Sequence, residues 1–73
     1  MQKPVWNSAV TIGAMEIIGP FEALSFLDHG WPNRKGPRFV DARFACLAAL
    51  DERGDPEDAK VRFSEALAEA HLH

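Results

Sequence analysis

The sequence predicts an α+β fold in which a β-hairpin is followed by three helices, in the order β-β-α-α-α, with the hairpin packed on a small helical layer. Three observations predict it. The first eighteen residues are rich in β-branched and aromatic side chains with weak alternation, the pattern of short strands. Beyond them, apolar residues recur at three- and four-residue spacing, the period of a helix with one face buried. Between two such stripes stand Asp51, Glu52, Arg53, Gly54, Asp55, Pro56 and Glu57, a helix stop followed directly by a helix start. On this reading Gly54 takes the left-handed conformation that ends a helix and Asp55 accepts hydrogen bonds from the next helix's free N–H groups. Pro56 fills the first helical position, where no donor is needed.

In the hairpin, Trp6, Ser8, Val10 and Ile12 share one parity and Val5, Asn7 and Ala9 the other, which leaves open the face that is buried. Gly13 suits a turn, and the strands are expected over about residues 4–10 and 14–18. A lone two-stranded hairpin is marginal in water, so one of its faces must pack on helices.

Gly19 and Pro20 open the first helix, with Glu22 near the positive end of its dipole. Phe21, Leu24, Leu27 and Trp31 form its stripe, which Ala23 and Phe26 widen. The helix should stop near Gly30, because Pro32 disfavours a helical conformation at Trp31. Asn33, Arg34, Lys35, Gly36 and Pro37 read as a loop. In the second helix, about residues 38–53, the apolar residues Phe39, Val40, Ala42, Phe44, Ala45, Cys46, Leu47, Ala48, Ala49 and Leu50 run almost around the circumference. Such a helix is central, covered on two sides, or part of an oligomer interface. The third, about residues 56–70, is amphipathic, with Ala59, Phe63, Ala66, Leu67 and Ala70 inward and Glu57, Lys60, Ser64 and Glu65 outward. Asp58 and Arg62 are spaced for an i,i+4 pair worth about 0.3 kcal/mol. The expected core is Phe21, Leu24, Leu27, Phe39, Cys46, Leu50, Phe63 and Leu67.

A chain of 73 residues is one domain, 1–73, at the small end of what folds alone, so self-association would add burial that it needs. Hydrophobic residues make up 47% of the sequence, enough for a core. The single Cys46 rules out an internal disulfide. Near Met1 there is no apolar run long enough for a signal peptide, nor elsewhere for a membrane span, so a cytoplasmic protein is expected. The net charge of −3 is unevenly spread: residues 1–50 balance at +1 and residues 51–73 at −4. A surface built on the last helix should therefore repel nucleic acid and anionic membranes.

The order of several features resembles the short bacterial proteins filed as domain of unknown function 982. They are Pro4 and Val5; Gly19 and Pro20 with Glu22 and Ala23; Leu27; Trp31 and Pro32; Gly36; Ala42 with Cys46, Ala49 and Leu50; and Ala59, Phe63, Ala66, Glu69 and Ala70. The resemblance implies a small α+β domain standing alone as a whole protein, and it implies no activity.

Among residues that carry chemistry, Trp31, Arg34, Lys35 and Arg38 form the densest group. The three cations would suit a phosphate or carboxylate at the start of the second helix, against the alternative of a solvated loop whose Trp31 plugs the core. The two helices joined at Gly54 invite comparison with a helix-turn-helix, yet the second exposes Glu57, Asp58, Glu65 and Glu69, which phosphates would avoid. Cys46 lies in the most apolar helix, a setting for packing rather than nucleophilic catalysis. Cys46, His29, His71 and His73 lack the spacing of a structural zinc site, so no metal or cofactor is expected. No Ser, His and Asp constellation or phosphate-cradling glycine loop is present, and an enzyme is not expected.

The sequence thus points to a small non-catalytic interaction or regulatory module that associates with itself or with a protein partner. Trp6, Val10, Phe44 and Leu47 are the candidate interface residues, as surplus apolar surface. The alternative is a binder of a small anion or of nucleic acid through Arg34, Lys35 and Arg38.

Overall fold

The structure, a computed structural model, describes residues 4–32 and 36–72. Strands β1 (Val10–Ile12) and β2 (Met15–Ile17) form an antiparallel hairpin, followed by helices α1 (Pro20–His29), α2 (Pro37–Leu50) and α3 (Pro56–Glu69). The α+β class and the element order are those the sequence predicts.

The hairpin is shorter than expected and begins later. Ile12 pairs with Met15 across a loop of Gly13 and Ala14, and Gly13 has φ of 59°, a left-handed conformation that costs glycine little. Residues 4–9 do not form a strand, because Trp6 is drawn into the helical core instead. Its N–H donates to the Ile18 carbonyl at 2.8 Å and its indole Nε1 donates to the Pro56 carbonyl at 2.7 Å. Beside it, the Asn7 N–H reaches Glu57 Oε2 at 3.4 Å and Lys60 Nζ donates to Ser8 Oγ at 2.5 Å. The segment before β1 is thus fastened along the first turns of α3. The buried face of the hairpin carries Ile17, with Val10 and Ile12 packed against the core from the parity that also holds Trp6.

Every helix has proline in its first turn. Asp55 caps α3 as expected, its side chain accepting from the Glu57 N–H at 3.0 Å. The corner between α2 and α3 differs in one respect: Glu52, not Gly54, is the left-handed residue, with φ of 61°. The Arg53 N–H bonds to the Ala48 carbonyl at 2.8 Å and the Glu52 N–H to the Ala49 carbonyl at 3.2 Å, the two bonds of a Schellman ending. Gly54 serves by its size, since a Cβ there would lie 3.0 Å from the Ala48 Cβ. The same ending closes α3, with His71 at φ of 59° and the Leu72 N–H on the Leu67 carbonyl at 2.9 Å.

Helix α2 lies between the other two, packing chiefly on α3 and then on α1. Its buried residues Phe39, Ala42, Cys46 and Ala49 mesh with Ala59, Phe63, Ala66 and Leu67 of α3, so that alanines let the helices approach and Phe63 fills the centre. The Phe63 ring lies 5.9 Å from Trp6, 6.3 Å from Phe26 and 6.4 Å from Trp31, centroid to centroid. Trp31 packs against this core, as the solvated-loop alternative expects of it.

Four core assignments need correction. Phe21 is 47% exposed, because α1 turns the small Ala23 inward with Pro20 and Leu27 and leaves Phe21 on its shoulder. Leu24 and Leu50 are only half-buried, flanking the stripe instead of centring it. Trp6, expected as surface, is core at 6% exposure.

Candidate functional site

The outward face of α2 is the largest departure from a simple amphipathic pattern. Opposite its buried stripe stand Val40, 51% exposed, and Phe44, 72% exposed, with Leu47 half-buried beside them. Positions 40, 44 and 47 repeat at four and three residues, so they share one face. Two ion pairs flank it. Toward α1, Arg43 Nε donates to Asp28 Oδ1 at 2.8 Å; toward α3, Arg62 Nη1 donates to Asp41 Oδ2 at 2.7 Å. Hydrogen bonding to Asp28 and to Asp41 raises the pKa of Arg43 and Arg62 respectively. Arg62 Nε also lies 3.5 Å from Asp58 Oδ2, the i,i+4 pair the spacing predicts.

Beside Phe44 the surface is recessed. Between α2 and α3 lies an open notch of about 300 Å³ lined by Asp41, Phe44, Ala45, Ala48, Asp58 and Arg62. Ala45 and Ala48 contribute only methyl groups to its wall, between the larger Phe44, Asp41, Asp58 and Arg62. A second open groove, of about 410 Å³, runs between β2 and α1 over Met15, Ile17, Phe21 and Phe26, with Glu16, Glu22 and His29 at its margin.

The structure places the candidate residues in different settings. Phe44 and Leu47 share the α2 face, whereas Val10 is half-buried against the core and Trp6 leaves the exposed surface altogether. Arg34 and Lys35 lie outside the described residues. Arg38 is already engaged: its Nη1 is 3.4 Å from Glu65 Oε1, and its backbone N–H donates to Glu69 Oε1 at 3.3 Å. Thus a carboxylate from the end of α3 satisfies part of the α2 N-terminus, the place where the alternative reading puts a bound anion. Sequence spacing could not show this, because Arg38 and Glu69 meet only through the docking of α2 on α3.

Cys46 is fully buried, and burial pushes its thiol up to about 12 from the usual value near 9. It is held protonated in an apolar core, the opposite of what an attacking thiolate needs. No charged or polar residue is buried among the described residues, and no group of three or more His, Cys, Asp or Glu there is placed to hold a metal ion. Among them, no helix is long and apolar enough to cross a membrane.

The fold and these surfaces define a small α+β domain whose helical layer presents an apolar face between ion pairs. The chain belongs to the family described as Protein of unknown function (DUF982), which it matches over residues 3–73. Neither the curated proteins nor the solved structures contain a significant match.

Proposed function

We propose that this protein is a non-catalytic interaction module that associates with itself through the outer face of α2. The observation that carries the reading is Phe44, a large aromatic side chain 72% exposed on a well-formed helix, with Val40 and Leu47 on the same face. Exposed aromatics of this kind are the anchors on which protein interfaces concentrate their binding energy. The flanking ion pairs, Arg43 with Asp28 and Arg62 with Asp41, supply the polar rim that surrounds such anchors. A domain of 73 residues also gains from covering apolar area that its own core cannot reach.

The alternative, an anion or nucleic-acid binder through Arg34, Lys35 and Arg38, draws less support. Arg38 is engaged by Glu65 and Glu69, and the −4 balance of residues 51–73 disfavours phosphate. Sedimentation velocity over micromolar to millimolar concentration tests the main reading. A mass that rises toward twice that of the 8.1 kDa chain supports it, and a strict monomer throughout removes it.

A further inference from the structure

The groove between β2 and α1 joins an apolar lining to acids that the fold leaves uncommitted. Met15, Ile17, Phe21 and Phe26 supply the apolar part. Phe26 is fixed there: its ring meets Trp31 edge-on with centroids 5.6 Å apart, and a Cβ on Gly30 would lie 2.8 Å from its Cδ1. Glu16 from β2 and Glu22 from α1 also line the groove, and no Lys or Arg does. Of the eleven Asp and Glu of the chain, all but Glu16, Glu22 and Glu52 accept a hydrogen bond or stand in an ion pair among the described residues. Two of the three uncommitted carboxylates therefore border one recess. In the notch beside Phe44, by contrast, Asp41 and Asp58 are both paired with Arg62.

We infer that this groove binds a small organic cation, an ammonium group carried on an apolar or aromatic body. The body lies over Met15, Phe21 and Phe26, and the ammonium turns toward Glu16 and Glu22, where the phenyl rings also favour a cation. Charge complementarity selects this occupant. An anion would meet two unpaired carboxylates, a neutral molecule would gain nothing from them, and a second copy applied groove to groove would set them against their own kind. The groove of about 410 Å³ falls within the roughly 300–1,000 Å³ of small-molecule sites. Because it is open, a bound molecule keeps much of its contact with water, and a dissociation constant on the order of 1 mM is expected. None of its lining residues belongs to the outer face of α2, so this binding is separate from the self-association proposed above.

Phenylbutylamine, phenylbutanol and phenylbutyrate carry one body with a cationic, a neutral or an anionic end, and serve as probes. Each is titrated into the isotope-labelled whole chain at about pH 8, where an aliphatic amine is charged, and followed by amide chemical shifts. The amine is expected to bind most tightly and the carboxylate least, with shifts concentrated in β2 and α1. Glu16→Gln and Glu22→Gln should each weaken the amine by about twofold to fivefold, the scale of an exposed ion pair, while leaving the alcohol unchanged. Added salt should weaken the amine alone. Glu16→Lys combined with Glu22→Lys should invert the order in favour of phenylbutyrate, which a merely apolar recess would not do. Amide spectra that match the wild type away from the groove report that each variant is folded. Shifts centred elsewhere, no saturable shift at about tenfold the expected constant, or equal affinity for the three probes overturns the proposal. So does an affinity for the amine that both glutamine variants retain in full. None of these outcomes bears on whether the chain pairs through α2.

Discussion

At the scale of single residues, the core is governed by which small groups it can keep neutral. Among the described residues Cys46 is the one titratable side chain fully inside it, and burial raises its thiol to about 12. In the unfolded chain the thiol ionises near its ordinary value of about 9. Below that pH both states hold the proton and the residue adds no pH dependence. As pH rises further, the unfolded chain gains a thiolate that the native core refuses, so stability falls between roughly pH 9 and the native value of about 12. The urea midpoint should therefore drop more steeply over pH 9–11 in the wild type than in Cys46→Ala. Equal slopes would show that the thiol is not held in its neutral form. Trp6 teaches a different lesson. Its aromatic character was plain, but its indole finds the Pro56 carbonyl fifty residues away at 2.7 Å, and no local pattern reveals a partner so distant.

Helix ends dominate at the scale of elements. The run from Asp51 to Glu57 announced a corner, and the corner is there, with Asp55 and Pro56 in their expected positions. What the residue types could not fix was which residue reverses. The Schellman bonds are made by backbone, so Glu52 takes φ of 61° although glycine stands two residues on. A non-glycine residue in that conformation costs roughly 1–2 kcal/mol, partly offset on substitution by the greater freedom of glycine in the unfolded chain. Glu52→Gly should stabilise the protein by about 0.5–1 kcal/mol, seen as a raised thermal midpoint. Gly54→Ala should lower it, because its new Cβ would meet the Ala48 Cβ at 3.0 Å. If the two changes shifted the midpoint in the opposite senses, the corner would be built otherwise. The hairpin shows the same limit of local reading. Its turn at Gly13 was legible, but its strands begin at Val10 because Trp6 is claimed by the helical layer.

For the molecule as a whole, helical periodicity identified α3 nearly to the residue, since one clean stripe of Ala59, Phe63, Ala66 and Leu67 has a single way to face inward. It served α1 less well: with Phe21, Leu24 and Phe26 all apolar, the stripe could rotate, and it is Ala23 with Pro20 and Leu27 that the fold buries. On α2 the apolar residues surround the helix, so Phe44 and Leu47 could be picked out as surplus, whereas the notch beside them depends on how α2 and α3 dock. That docking turns on Phe63. It is fully buried, and Trp6, Phe26 and Trp31, from the segment before β1, from α1 and from the loop after it, all lie against its ring. Truncating such a residue removes its transfer energy and leaves a cavity that four separate parts of the chain would have to move together to close. Phe63→Ala should accordingly cost about 3–5 kcal/mol. A domain of this length has a total stability of about 4–11 kcal/mol, so the variant sits near the edge of folding. Urea denaturation followed by tryptophan fluorescence is the apt measurement, because both tryptophans of the protein pack on the ring being removed. A large fall in the midpoint is expected, together with an emission shift already present without denaturant as water reaches Trp6 and Trp31. An unchanged midpoint would mean that the helical layer is not organised around Phe63.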